Sequence, residues 1–121
     1  MKFKTFLFNP QIKAGIKATG YSTPTQIQAK AIPKIMQGRD LVGLAQTGTG
    51  KTAAFLLPIL HRLMHGHRKR LRALIIAPTR ELAEQIHQTI EALGAKTGLQ
   101  SVTVYGGVGM KRQVHLLKSA D

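Results

Sequence analysis

The chain has 121 residues, enough for one compact domain and too few for two. Hydrophobic residues make up 43% and charged residues 19%, a globular balance that excludes a disordered or collagenous chain. Eighteen Lys and Arg against five Asp and Glu give a net charge of +13, which favours an anionic partner, and the absence of cysteine excludes a disulfide framework and cysteine-ligated zinc.

In chain order, residues 1–39 hold seven basic side chains and no acid, so the positive charge is concentrated as well as large. Clustered cations gain affinity for nucleic acid by releasing phosphate counterions, which makes nucleic acid the favoured partner. Phe6-Leu7-Phe8 is too short for the apolar stretch of a secretory signal, so a cytoplasmic location is expected. Asn9-Pro10 predicts a capped helix with Ile12 and Ile16 on one face, closed by Gly20. A second helix is predicted from about Thr25 through Ile27, Ala31, Ile32, Ile35 and Met36, with Pro33 kinking it or splitting it in two. Residues 1–39 thus read as an amino-terminal helical unit and residues 40–121 as the body that follows.

Asp40–Ala45 reads as a buried strand, Gln46–Gly50 as a glycine-bearing loop, and a largely buried helix is expected from about Lys51. Its apolar run, Ala53–Leu60, contains Pro58 and falls far short of the roughly 18 residues that a membrane span needs, so no membrane partner is expected. The basic stretch His65–Arg70 predicts a solvated surface turn. Ala73–Ala77 reads as a second buried strand, halted by Pro78. Leu82, Ile86, Ile90 and Leu93 mark one stripe of a further helix that ends at Gly94, with Glu81 and Glu84 at its positive end. Ser101–Tyr105 reads as a third strand before Gly106-Gly107, and Met110–Lys118 as a last helix. Strands alternating with helices imply an α/β fold, a parallel sheet with flanking helices.

Ala45-Gln46-Thr47-Gly48-Thr49-Gly50-Lys51-Thr52 joins the first expected strand to the next helix, where a phosphate loop belongs. Glycines let backbone amides turn toward phosphate oxygens, the helix terminus adds free N–H donors, Lys51 supplies a cation for the β- and γ-phosphates, and the Thr52 hydroxyl suits magnesium. The strict pattern has glycine where this chain has Ala45, so the motif is a relaxed one. A phosphate loop alone leaves kinases, GTPases and motor ATPases open.

Phe3, Gly20-Tyr21-Ser22-Thr23-Pro24-Thr25-Gln26-Ile27-Gln28, the phosphate loop, Pro78-Thr79-Arg80-Glu81-Leu82-Ala83 and Gly106-Gly107 follow one another in an order that resembles the first part of a DEAD-box ATP-dependent RNA helicase. The resemblance runs from Phe3 to about Leu117. It implies a P-loop, RecA-like fold, incomplete at its carboxyl end, that uses ATP and Mg2+. It also implies that Tyr21 stacks on adenine, that the Thr23 carbonyl receives the N6 amine, and that Phe3 packs behind the base. Gln28, with one amide donor and one carbonyl acceptor, matches the adenine N7 and N6 edge, which guanine would contradict at O6. For the plainer reading, Gln28 caps a helix or bonds backbone, Tyr21 is a surface aromatic and Phe3 is core. Pro78, Thr79, Arg80, Gly106 and Gly107 are implied to hold the single-stranded RNA backbone, with little sequence preference. The alternatives there are a helix cap at Thr79, an Arg80–Glu84 pair and strand-ending glycines.

By the same resemblance, hydrolysis needs an adjacent Asp-Glu pair on a later strand and arginines from a second domain. The five acids here, Asp40, Glu81, Glu84, Glu91 and Asp121, include no adjacent pair. The chain therefore reads as the amino-terminal portion of such an enzyme, with Lys51 and Thr52 its catalytic phosphate-loop residues. The alternative is a truncated, catalytically inactive module that binds ATP and RNA. A sheet cut after three strands exposes an apolar edge, so self-association is expected. His61, His65 and His67 lack a nearby carboxylate or cysteine to complete a metal site.

Overall fold

The structure is a computed structural model that describes residues 1–107 and 109–121. After a 3-10 turn at Phe3–Thr5 come five helices: α1 (Pro10–Ala18), α2 (Gln26–Met36), α3 (Lys51–Leu63), α4 (Arg80–Leu93) and α5 (Met110–Leu117). Each begins where a local signal permits. The Asn9 side chain accepts from the Gln11 amide ahead of α1. Thr25 and Gln28 form a reciprocal capping box at α2, and the Thr79 hydroxyl accepts from the Leu82 amide at α4. Proline does not divide α2: the helix runs unbroken through Pro33, and α3 likewise through Pro58.

Helix α2 lies along α3, and α1 crosses both α3 and α4. At the α1–α4 crossing Gly15 meets the carbonyl of Leu93 so closely that a Cβ would collide with it. Phe3, Phe6, Phe8, Ile12, Ile16 and Ile32 share one core with Leu57, Leu60 and Leu93, so the core draws on residues from both sides of position 40. Burying a large aliphatic side chain contributes about 1.5–3 kcal/mol, and Ile12, Ile32, Leu57 and Leu93 are fully buried here.

The expected parallel sheet is not confirmed among the described residues. Asp40–Ala45, Ala73–Ala77 and Ser101–Tyr105 carry no strand pairing among the described residues. Nor are they buried, since Val42 and Leu44 are 89% and 91% exposed, and Leu74 and Ile76 are 85% and 84% exposed. Residues 72–77 and 100–105 instead flank a groove of about 890 Å³ whose floor includes Leu56 and Ile86. They run the same way, because Asp121 joins their beginnings while Arg80 meets Tyr105 and Gly107 at their ends. Asp121 accepts from the Arg72 amide at 3.0 Å and donates its own amide to the Gln100 carbonyl at 2.9 Å. Its carboxylate accepts from the amides of Lys69 and Gln100 and lies 3.6 Å from the Arg72 guanidinium.

The basic turn after α3 is not simply solvated. Arg72 donates to the carbonyls of Leu63 and His65, closing the end of α3, and Arg68 donates to the Thr97 carbonyl. The bond to Leu63 answers one of the orphan carbonyls that a helix end leaves, and the other two pin the turns that follow α3 and α4.

Candidate nucleotide and RNA site

The expected phosphate loop takes its shape from two glycines in the left-handed region, Gly48 at φ 78° and Gly50 at φ 83°. Gly50 directly precedes α3, whose first-turn amides therefore face the loop. The Thr49 hydroxyl donates to the Gln46 carbonyl at 2.6 Å, and the Lys51 ammonium donates to the Ala45 carbonyl at 2.5 Å. Lys51 thus reaches back across the loop from the helix to the loop's first residue. Gln46, Thr47 and Gly48 are exposed, and Thr52 is half-buried in the first turn of α3.

Gln28 is the contact between α2 and this loop. It is 3% exposed, its carbonyl oxygen accepts from the Thr25 amide at 2.9 Å, and its amide nitrogen donates to the Gly50 carbonyl at 3.1 Å. A side chain on Gly50 would strike that amide, so the approach requires glycine. The bonding residue and the expected base-reading residue are therefore one, with both polar ends engaged in protein. Tyr21 is 42% exposed and stacks on Phe3, ring centroids 6.0 Å apart and planes 24° from parallel. Phe3 is buried in the core and donates its amide to the Ser22 carbonyl, while Thr23 is exposed.

Further along the chain, Pro78 and Thr79 are exposed and Thr79 caps α4. Arg80, the first residue of α4, lays its guanidinium 5.3 Å from the centre of the Tyr105 ring. Gly107, at φ 83°, lies against the same guanidinium: a Cβ there would fall 2.8 Å from Arg80 Nη2. Gly106 has open space where a side chain would stand. Glu84 does not serve Arg80. Its carboxylate accepts from the Tyr105 hydroxyl at 2.8 Å and the Thr103 hydroxyl at 3.1 Å. That bond to Glu84, followed by burial, pushes the Tyr105 hydroxyl above its usual pKa. Arg80, Tyr105 and Gly107 therefore meet, whereas the phosphate loop and Gln28 form a separate group.

Sequence reasoning missed Tyr105, Thr103 and the bonding of Glu84. An aromatic residue just before paired glycines was the only available signal. It also missed the anchor between α1 and α3, in which the Asn9 amide donates to His61 Nδ1 at 2.9 Å. His61 also packs edge-on against His65, with ring centroids 5.6 Å apart. Burial, then the neighbouring His65, holds the His61 pKa below its usual value.

Solved structures with a similar backbone include a DEAD-box protein and an RNA helicase. One from Methanococcus jannaschii superposes with a TM-score of 0.91 at 34% identity, covering all of this chain and 33% of its own. The RNA helicase Prp28 of Chaetomium thermophilum, solved bound to ADP, matches with a TM-score of 0.83 at 39% identity, covering 93% of this chain and 28% of its own. The DEAD/DEAH box helicase family model matches residues 25–121, and the chain belongs to that family. The ATP-dependent rRNA helicase RRP3 of Saccharomyces cerevisiae is 50% identical over 104 residues, which is 86% of this chain and 21% of the relative. The DEAD-box ATP-dependent RNA helicase RhpA of Helicobacter pylori is 52% identical over 82% of this chain and 20% of the relative. The chain thus spans about a fifth of the length of the curated relatives it matches. No helix among the described residues is long and apolar enough to cross a membrane.

Proposed function

We propose that this chain is the ATP- and RNA-binding amino-terminal part of an ATP-dependent RNA helicase working in the cytoplasm, with residues 1–39 carrying the base-reading element and residues 40–121 the phosphate loop. The observation that carries this reading is the bond from Gln28 to Gly50, which sets the adenine-matching amide beside the glycine loop that leads into α3. In it, Tyr21, Thr23, Gln28 and Phe3 receive adenine, and the amides from Gln46 to Thr52 receive the phosphates. Lys51 exchanges the Ala45 carbonyl for a phosphate oxygen, a stronger, charge-assisted partner. The donor set suits Mg2+ as well: a hydroxyl, Thr52, stands in the helical turn beside that cation. Magnesium, when bound, neutralises phosphate charge there. The ADP bound to the Prp28 relative supports nucleotide binding on this fold.

Pro78, Thr79, Arg80, Gly106 and Gly107 hold the RNA backbone in this reading. A second reading, a module that binds without turnover, is favoured by the lack of adjacent acids in the chain. Binding of a fluorescent ATP analogue with Mg2+ tests the nucleotide site, with loss expected in Lys51→Ala and unchanged affinity refuting it. RNA-stimulated phosphate release separates the readings: turnover by this chain supports the enzyme, and binding without turnover supports the module.

A further inference from the structure

Arg80 would ordinarily be neutralised by its own helix. Glu84 lies four residues on, the spacing at which opposite charges pair on a helix face. Here that carboxylate is occupied by the hydroxyls of Tyr105 and Thr103, and Tyr105 is further fixed by its amide, which donates to the Gln113 side chain at 3.0 Å. The Tyr105 ring meanwhile lies 5.3 Å from the Arg80 guanidinium, and Gly107 leaves the space that the guanidinium fills. No acceptor for the Arg80 guanidinium is found among the described residues, although it carries five N–H donors. An oriented, charged donor without an acceptor is prepared for an anion.

We propose that Tyr105 is the positioning residue for Arg80: its ring supports the guanidinium, and its hydroxyl holds Glu84 away, leaving Arg80 free for an RNA phosphate. The inference rests on the reading of Arg80 as an RNA contact and adds the two groups that keep it available. Tyr105 itself touches no RNA in this account. The two roles separate chemically, because phenylalanine keeps the ring and takes away the shorter of the two hydroxyl bonds that hold Glu84, leaving Thr103 alone, whereas leucine removes the ring as well.

The test is binding of a fluorescein-labelled oligouridylate to the chain at low salt, read by anisotropy. Arg80→Ala is expected to weaken binding about tenfold or more, as loss of a charge-assisted contact does. Tyr105→Phe is expected to weaken it about two- to fivefold, because Glu84, held by Thr103 alone, then pairs with Arg80. Adding Glu84→Gln to Tyr105→Phe restores wild-type affinity, a rescue that a merely structural tyrosine would not show. Tyr105→Leu with Glu84→Gln remains about two- to fivefold weak, since the ring is gone. Affinity for the fluorescent ATP analogue stays at the wild-type level in every Tyr105 variant, which establishes that they fold. Wild-type RNA affinity in Tyr105→Phe, or no rescue by Glu84→Gln, overturns the positioning role while the Arg80 contact stands. Unchanged affinity in Arg80→Ala overturns the RNA contact and the inference with it.

Discussion

Lys51 and His61 show how single side chains set the behaviour of this chain. The Lys51 ammonium already holds one oxygen, the Ala45 carbonyl, so in the proposed nucleotide site a phosphate would replace an existing weak partner and the lysine would need no new placement. Lys51→Ala is expected to abolish binding of the magnesium nucleotide with the helical circular dichroism unchanged, because the side chain is exposed and outside the core. His61 accepts the Asn9 amide through Nδ1, which requires that nitrogen to be unprotonated. Its pKa in the fold lies below 6.5, so on acidification the unfolded chain takes up the proton first. Stability is therefore full above about pH 6.5 and falls as pH drops toward the folded value. Urea melts from pH 7 to pH 5 should show this loss, and His61→Gln, which keeps an acceptor but does not titrate, should reduce the slope. At Gly107, alanine would meet both the left-handed backbone and the Arg80 fork. Weaker RNA binding is expected there, with unchanged ATP affinity.

Among the elements, helices were legible and strands were not, for a physical reason. A helix closes its hydrogen bonds within itself, so Asn9-Pro10, Thr25 with Gln28, and Thr79 with the Leu82 stripe mark their helices from local sequence alone. A strand has no such self-sufficiency. The apolar runs at 40–45, 73–77 and 101–105 supply strand-like side chains, but pairing depends on a neighbour that sequence pattern cannot supply. Of the two outcomes expected at Pro33, a kink or a split, the split does not occur: proline removes one donor, and the packing of α2 against α3 keeps the helix continuous. The candidate site was legible where one residue type served one motif, as in the phosphate loop. Links between distant segments, Gln28 to Gly50 and Tyr105 to Glu84, left no periodic trace. Thr25→Ala removes the cap of α2 and should cost about 1 kcal/mol in thermal or urea unfolding. It should also weaken ATP binding, since the Thr25 amide and hydroxyl orient Gln28.

At the scale of the whole molecule, two properties compete. The helical core joins α1 through α4, while the groove beside 72–77 and 100–105 leaves apolar side chains and backbone amides in water. Exposed extended segments of this kind associate edge to edge. Leu74→Lys with Ile76→Lys is expected to reduce concentration-dependent association in sedimentation, with little change in melting temperature, because both side chains are already exposed. The large positive charge opposes that association at low salt and, in the proposed function, favours RNA at the surface. The central claim is that this chain reads adenine through the residue that touches its phosphate loop. The most direct measurement is competition of ATP and then GTP against a fluorescent ATP analogue with Mg2+, for wild type and Gln28→Ala. Preference for ATP that disappears in the variant is the predicted result; equal competition by GTP in the wild type would contradict the account.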